Sequence, residues 1–295
     1  MKPATPNTNS SKTIHLTESP RDAMQGYSHI IPTEHKIKYI NSLLQAGFDI
    51  IDAGSFVSPK AVPQMADTAQ VLEGLDITST SSEIMVLVVN EKGAGLASSY
   101  EKLNIISFPF SVSETFLRLN LKSTLQDSFI NSLKINEISK RNNKKFLCYL
   151  SMGLGNPYND QWHPEIVAEW IRNFINEGVE LFSIADTTGE ANPSGIKKLF
   201  TLLLSEFQNI NFRLHLHTRK SEAFIKIGAA FEAGITHFES VLEGRGGCPM
   251  TGKDLLGNLD TLDLLEYCRK NKIATKVDLN NLQKISEMQF TLFNP

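Results

Sequence analysis

Residues 145–185 read KFLCYLSMGLGNPYNDQWHPEIVAEWIRNFINEGVELFSIA, and this one stretch decides the fold. An apolar run, Lys145 to Ser151, gives way to a glycine- and asparagine-containing turn. Pro164 to Glu177 follows, with Ile166, Val167, Trp170, Ile171 and Phe174 at helical spacing, a proline suited to a first turn, and Gly178 as the stop. A second apolar run, Leu181 to Ala185, comes next. Two strands joined through a helix of this length must lie parallel, because a parallel crossover needs about a dozen residues. The unit recurs along the chain. Strand-like runs are expected at Thr13 to Leu16, Asp49 to Ala53, Glu83 to Val89, Leu103 to Phe108, Arg213 to His217 and His237 to Leu242, eight in all. Helical patterns at Thr33 to Ala46, ending before Gly47, and at Ser221 to Ala233, ending before Gly234, repeat the design. Eight βα units predict an α/β protein of the (β/α)8 TIM-barrel class. An open doubly wound sheet is disfavoured, since no GxGxxG opens the first helix. Apolar segments at Asp254 to Cys268 and Leu279 to Leu292 predict extra C-terminal helices.

The chain's 295 residues suit one such barrel, which takes about 250. The expected organisation is a flexible N-terminal tail over residues 1–12 and one barrel domain over 13–295. Residues 1–12 are rich in Ser, Thr, Asn and Pro, contain no arginine and have no apolar core, unlike secretion signals and mitochondrial leaders. No apolar run reaches the length of a membrane-spanning helix. A formal net charge of −3 gives no electrostatic reason for a nucleic-acid or membrane partner. The cysteines Cys148, Cys248 and Cys268 are far apart and odd in number, which fits a reducing, cytoplasmic location rather than a disulfide framework. Cys148 and Cys268, inside a strand and an apolar helix, read as packing residues.

A barrel of this class carries its chemistry at the carboxyl ends of its strands. Arg21 and Asp22 follow the first strand, Asp52 ends the second, Ser183 and Asp186 the sixth, and His215 and His217 the seventh. Alternate residues of a strand share a face, so the two imidazoles of His215-Leu216-His217 can bind one metal ion. Asp22 and Asn258 are further candidate ligands. Two imidazoles, a carboxylate and an amide oxygen, with open positions left for substrate, favour Mg2+ or Mn2+ over structural zinc. Glu243 to Pro249 is a glycine-dense loop with Cys248 at its tip, able to move over a site and bring a thiol to it. His29, His35, His163 and His237 have no convergent partners. Lys60 and Lys253 are candidates for coenzyme binding by charge alone.

From about Leu16 to about Leu262 these motifs resemble the hydroxymethylglutaryl-CoA lyase family, within the metallolyase barrels that include isopropylmalate and homocitrate synthases. Arg21-Asp-Ala-Met-Gln25 is similar to RDGxQ, and Ser55 to Lys60 with Val62 to Met65 to SFVSPKxVPQM. Asp186-Thr187 resembles the family's DT, His215 to His217 its HxH, Gly244 to Pro249 its GxGGCP loop, and Gly257-Asn258 its GN. The resemblance implies cleavage of 3-hydroxy-3-methylglutaryl-CoA to acetyl-CoA and acetoacetate, in leucine or ketone-body catabolism. It implies Asp22, His215, His217 and Asn258 as metal ligands, Arg21, Asp186, His215 and Cys248 as catalytic residues, and Gln25, Asp52, Asn120 and Ser183 around the substrate. The expected partners are an acyl-CoA and a second copy of the chain in a homodimer.

Three positions depart from the family pattern: Asp52 stands where glutamate is usual, Ala23 where glycine is, and Thr218 where the HxHD aspartate is. The rival readings are a lyase or aldolase acting on another 3-hydroxyacyl-CoA, and a catalytically weakened barrel kept for binding. Retention of Cys248 favours the lyase.

Overall fold

The computed structural model describes residues 13–247 and 256–293. Eight strands, β1 (His15–Glu18), β2 (Ile50–Phe56), β3 (Glu83–Val88), β4 (Ile105–Ser111), β5 (Lys145–Ser151), β6 (Leu181–Asp186), β7 (Asn211–Leu216) and β8 (His237–Ser240), pair in chain order and in parallel. The barrel closes where β8 pairs with β1, from His15 opposite His237 to Glu18 opposite Ser240. Around it run α1 (Pro20–Gln25), α2 (Thr33–Leu44), α3 (Thr68–Gly74), α4 (Glu91–Ser98), α5 (Glu114–Asn120), α6 (Leu125–Arg141), α7 (Pro164–Asn176), α8 (Pro193–Glu206) and α9 (Lys220–Ala233), followed by α10 (Thr261–Lys270) and α11 (Leu279–Phe293). The expected tail over residues 1–12 lies outside the described residues.

Strand alternation divides the core in two. In β5, Phe146, Cys148 and Leu150 point outward into a large apolar layer with Phe110, Phe174 and Phe182, between strands and helices. Leu147 and Tyr149 point inward and meet Ile50, Met85, Ile105 and Ala185. Cys148 is fully buried in the outer layer and burial pushes its thiol well up, so the packing role expected for it stands. Cys268 is likewise buried, on α10. The α7 helix shows how the sequence punctuates these units: the His163 ring accepts the Glu165 N–H at its start, Pro164 fills the first turn, Val167, Ile171 and Phe174 are buried, and Gly178 lies beyond its end at φ 74°.

Strand edges differ from the expected ones for physical reasons. β1 begins at His15 because Thr13 makes only an isolated bridge to Ala274, outside the barrel ladder. β4 continues past Phe108 through Pro109, a residue that lacks the N–H of a strand donor. Beyond Ser107, β4 pairs only with β5, so one side of Pro109 faces no ladder and the missing donor costs little. β8 stops at Ser240; Leu242 to Gly244 is a 3-10 turn with Glu243 at φ 62°. The wall is continued there by the returning chain, in which Val241 and His217 bridge Asp260 and Asn258. The C-terminal helix expected from Asp254 starts later, at Thr261, capped by Asp260; residues 248–255 are not described.

Candidate metal centre and active site

The β1 strand runs directly into α1, whose first turn carries Arg21 and Asp22 into the carboxyl end of the barrel. On the opposite side of the β1–β8 seam, β7 presents His215 and the chain just beyond it presents His217. Asp22, His215 and His217 each offer a ligand atom, all within 4.8 Å of one another, and all three residues are buried. The Nε2 atoms of the two imidazoles are 3.1 Å apart. Donors about 2.1 Å from one ion and at right angles would be about 3 Å apart, so the pair fits neighbouring positions of a six-coordinate ion.

The other nitrogen of each ring is anchored. His215 Nδ1 lies 3.0 Å from Glu239 Oε2, and His217 Nδ1 lies 3.1 Å from the Leu256 carbonyl. A carbonyl can only accept, so His217 carries its proton on Nδ1 and keeps Nε2 free; the Glu239 carboxylate fixes His215 in the same way. Burial, reinforced by the charge of His215, lowers the His217 pKa to about 4, leaving a neutral imidazole that can ligate. Burial also opposes charge on His215, but Glu239 outweighs it and the net shift is upward.

Asp22 stays ionised although burial works against it, because Arg21, His215 and His217 lower its pKa. Arg21 Nη1 donates to Asp22 Oδ1 at 2.8 Å, and its Nε and Nη2 donate to Asp52 Oδ2 at 2.9 and 2.5 Å. Gln25 Nε2 donates to Asp22 Oδ1 at 2.7 Å. Burial raises Asp52 to about 6 against the pull of Arg21, and its Oδ1 has no hydrogen-bond partner. A register shift in β2 between Asp52 and Gly54 marks a bulge beside the site.

Asn258 completes the cluster: its Nδ2 donates to Asp22 Oδ2 at 2.7 Å and to the Arg245 carbonyl at 2.8 Å. An amide turned about its terminal bond would present Oδ1 at the same place, which is what ligation requires. The glycine-rich loop begins against this cluster. Gly246 has φ 85°, and a Cβ there would meet the Asp22 carbonyl oxygen at 2.6 Å, so only glycine lets the loop lie so close.

Of the residues expected in the site, Arg21, Asp22, Gln25, Asp52 and Asn258 are thus joined by hydrogen bonds, and His215 and His217 lie beside Asp22 in the same cluster. Ser183 is buried beside Glu239. Asn120 is not brought to the cluster by any described contact; it ends α5, where its Nδ2 donates to the Phe116 carbonyl. Asp186 accepts the Ala191 N–H through Oδ1, leaves Oδ2 without a hydrogen bond, and is raised to about 7 by burial, which the charge of Lys226 only partly offsets. Cys248 and Lys253 lie outside the described residues, and Lys60 is exposed.

A family model described as HMGL-like matches residues 13–288. The chain belongs to the HMGL-like family. It is 33% identical over 279 residues to the mitochondrial hydroxymethylglutaryl-CoA lyase of Macaca fascicularis, covering 94% of this chain and 83% of that protein. It is 31% identical over 274 residues to the 3-hydroxy-3-isohexenylglutaryl-CoA/hydroxy-methylglutaryl-CoA lyase of Pseudomonas aeruginosa, covering 92% and 90%. A solved HMG-CoA lyase from Acenitobacter baumannii, in complex with coenzyme A and 3-methylmalate, matches with a TM-score of 0.90 and 31% identity over 97% of this chain and 93% of that one.

Two departures from the HMGL-like pattern have structural answers. Ala23 lies inside α1 with no positive φ, so the glycine it replaces is not needed for backbone freedom in this chain. Asp52, though shorter than glutamate, reaches Arg21 through two donors. Thr218 turns its hydroxyl to the Arg219 carbonyl.

Glu239 is the functional residue that the sequence reading passed over. Its signal lies in His237-Phe-Glu-Ser240: alternation puts a carboxylate on the inner face of a barrel strand, where it demands partners. It finds them in His215 and in the Tyr149 hydroxyl, which donates to Oε2 at 2.8 Å. Outer partners of this kind are typically worth 10–100-fold in metal affinity, so Glu239→Leu is expected to raise the half-saturating metal concentration by about that factor. An unchanged metal titration would mean that the carboxylate does not orient His215.

Proposed function

We propose that this chain is a divalent-metal-dependent carbon–carbon lyase that cleaves 3-hydroxy-3-methylglutaryl-CoA into acetyl-CoA and acetoacetate. The observation that carries the reading is the pair of Nε2 atoms of His215 and His217, 3.1 Å apart and beside the Asp22 carboxylate, on the barrel of a family whose named relatives include such lyases. Asp22, His215, His217 and Asn258 would hold Mg2+ or Mn2+. When bound, such an ion supplies Lewis-acid polarisation of substrate oxygens.

In the cleavage the C3 hydroxyl loses its proton, the C2–C3 bond breaks, C3 becomes the ketone carbon of acetoacetate, and the electron pair passes to C2 as the enolate of acetyl-CoA. Asp186 is the proposed proton acceptor, since a carboxyl raised to about 7 is poised to exchange protons near neutrality. Arg21, whose guanidinium keeps one Nη2 hydrogen beyond those given to Asp22, Gln25 and Asp52, is the proposed cation that faces the enolate oxygen. Cys248, on the loop that starts against Asp22 and Asn258, is the proposed donor of the proton that C2 takes up. Gln25, Asp52, Ser183 and Asn120 are assigned to the walls around the substrate. The thiols of Cys148 and Cys268 are free, which suits a reducing cytoplasm.

The test is acetoacetate release from hydroxymethylglutaryl-CoA by purified protein with Mg2+ or Mn2+ and a thiol reductant, measured against pH and beside Cys248→Ala. The expected result is metal-dependent turnover that rises with pH through about 7, as Asp186 ionises, and collapses in the variant. No release with any divalent ion would refute the substrate assignment; turnover unaffected by Cys248→Ala would remove the thiol from the mechanism.

A further inference from the structure

The opposite end of the barrel, where the strands begin, is also polar. A cavity of about 250 Å3 opens there, lined by His15, Asp49, Glu83, Arg213, His237 and Lys276 among others. Its acids are already answered. Asp49 accepts from the Leu16 N–H at 3.0 Å and from Lys276 Nζ at 2.8 Å, with His15 Nδ1 at 3.1 Å, and Glu83 pairs with Lys145 at 2.5 Å.

Arg213 is not answered. It points inward from β7 on the same face as His215, is only 8% exposed, and its Nε and Nη1 are shielded from solvent without any hydrogen-bond acceptor. The carboxylate that acts most strongly on its charge, Glu239, gives it no hydrogen bond: Oε2 is taken by His215 and Tyr149, and Oε1 has no partner. A guanidinium does not escape by losing its proton, and a buried charge without a counter-ion is costly. Lys145 and Lys276 face Glu83 and Asp49, so Arg213 is the cation of this floor that no carboxylate reaches by a hydrogen bond among the described residues. Beside it the rings of His15 and His237 stack at 4.5 Å with an interplanar angle of 15°.

We propose that this cavity is a binding site for a small free oxyanion, such as inorganic phosphate, sulfate or a short carboxylate, which rests against Arg213 and Lys276 and closes the floor of the barrel. The site is separate from the metal cluster: its residues come from the amino ends of β1, β2, β3, β7 and β8 and from the segment after α10, whereas the cluster is built at the carboxyl ends. An anion that binds the folded state alone raises stability by mass action, so its occupancy is read directly as a thermal shift.

The experiment compares melting of the full-length protein in phosphate, sulfate, acetate and chloride at matched ionic strength, with calorimetric titration of inorganic phosphate. The wild type is expected to melt higher in at least one oxyanion than in chloride, with saturable binding, and Arg213→Met is expected to lose both effects. Lys276 sits on the rim with its side chain 55% exposed, so Lys276→Ala should fold normally and bind about two- to fivefold more weakly. It keeps the test decisive if Arg213→Met does not fold. Equal melting in chloride and in all three oxyanions, unchanged affinity in Lys276→Ala, or a shift retained by Arg213→Met would each overturn the proposal.

Discussion

Arg21→Met is expected to lower kcat for hydroxymethylglutaryl-CoA cleavage by about 10²–10³-fold, the usual effect of removing one preorganised donor from a developing oxyanion. The side chain is 7% exposed and its guanidinium is held by Asp22, Gln25 and Asp52, so it is set in place before substrate arrives. The same substitution also affects stability. It leaves Asp52 buried without a cation, and breaking a buried pair from one side typically costs about 3–5 kcal/mol.

The sign of the pH effect on that loss can be worked out. Burial already holds Asp52 at about 6, above its ordinary 3.8, so the folded state binds its proton more readily than the unfolded state does. Without Arg21 the pKa rises further, and the destabilisation should be largest at alkaline pH and shrink as the carboxyl protonates on acidification. Arg21→Met combined with Asp52→Leu should therefore recover most of the stability and none of the activity. Denaturant unfolding at two pH values together with steady-state kinetics checks both halves. A kcat within threefold of the wild type would sink the role given to Arg21.

Asp22→Asn is expected to weaken divalent-metal binding by more than 100-fold and to abolish turnover at ordinary metal concentrations. Partners of metal ligands already contribute 10–100-fold, and this change removes the one carboxylate of the proposed ligand set. The asparagine has nearly the shape of aspartate and can still accept from Arg21 and Gln25 through Oδ1. Its new amide group, however, would face Asn258 Nδ2, which donates to Asp22 Oδ2 in the wild type, so two donors would meet until one amide turned. Titration of the metal-stripped protein with Mn2+ is the measurement, with circular dichroism as the control for fold. Binding within tenfold of the wild type would show that Asp22 is not a ligand.

The parts of this molecule legible from sequence are those whose signal is local. The βα repeat, the glycines after helices, the Arg21-Asp22 pair and the His215/His217 alternation each declare themselves within a few residues. Strand limits at Thr13, Pro109 and Leu242 were less legible because they depend on which neighbouring strand is present at each rung, and pattern alone does not say. Glu239 and Tyr149 stayed hidden for a related reason: their partners come from other strands across the barrel interior. That Ala23 needs no special backbone angle was not legible either, because nothing local announces that Pro20 to Gln25 is already helical.

The bond from Asn258 to Asp22 joins positions 236 residues apart in the chain. It lies across the seam where the last strand meets the first, the only rung of the barrel that sequence order does not bring together. An ion held by Asp22, His215, His217 and Asn258 would therefore act as a rivet through that seam. A chain emerging from synthesis has Asp22 long before it has its partners, and cannot assemble the ion's cage until the cylinder is shut. Metal capture would then report completed closure, and incomplete chains would leave the cell's pool of free cations alone.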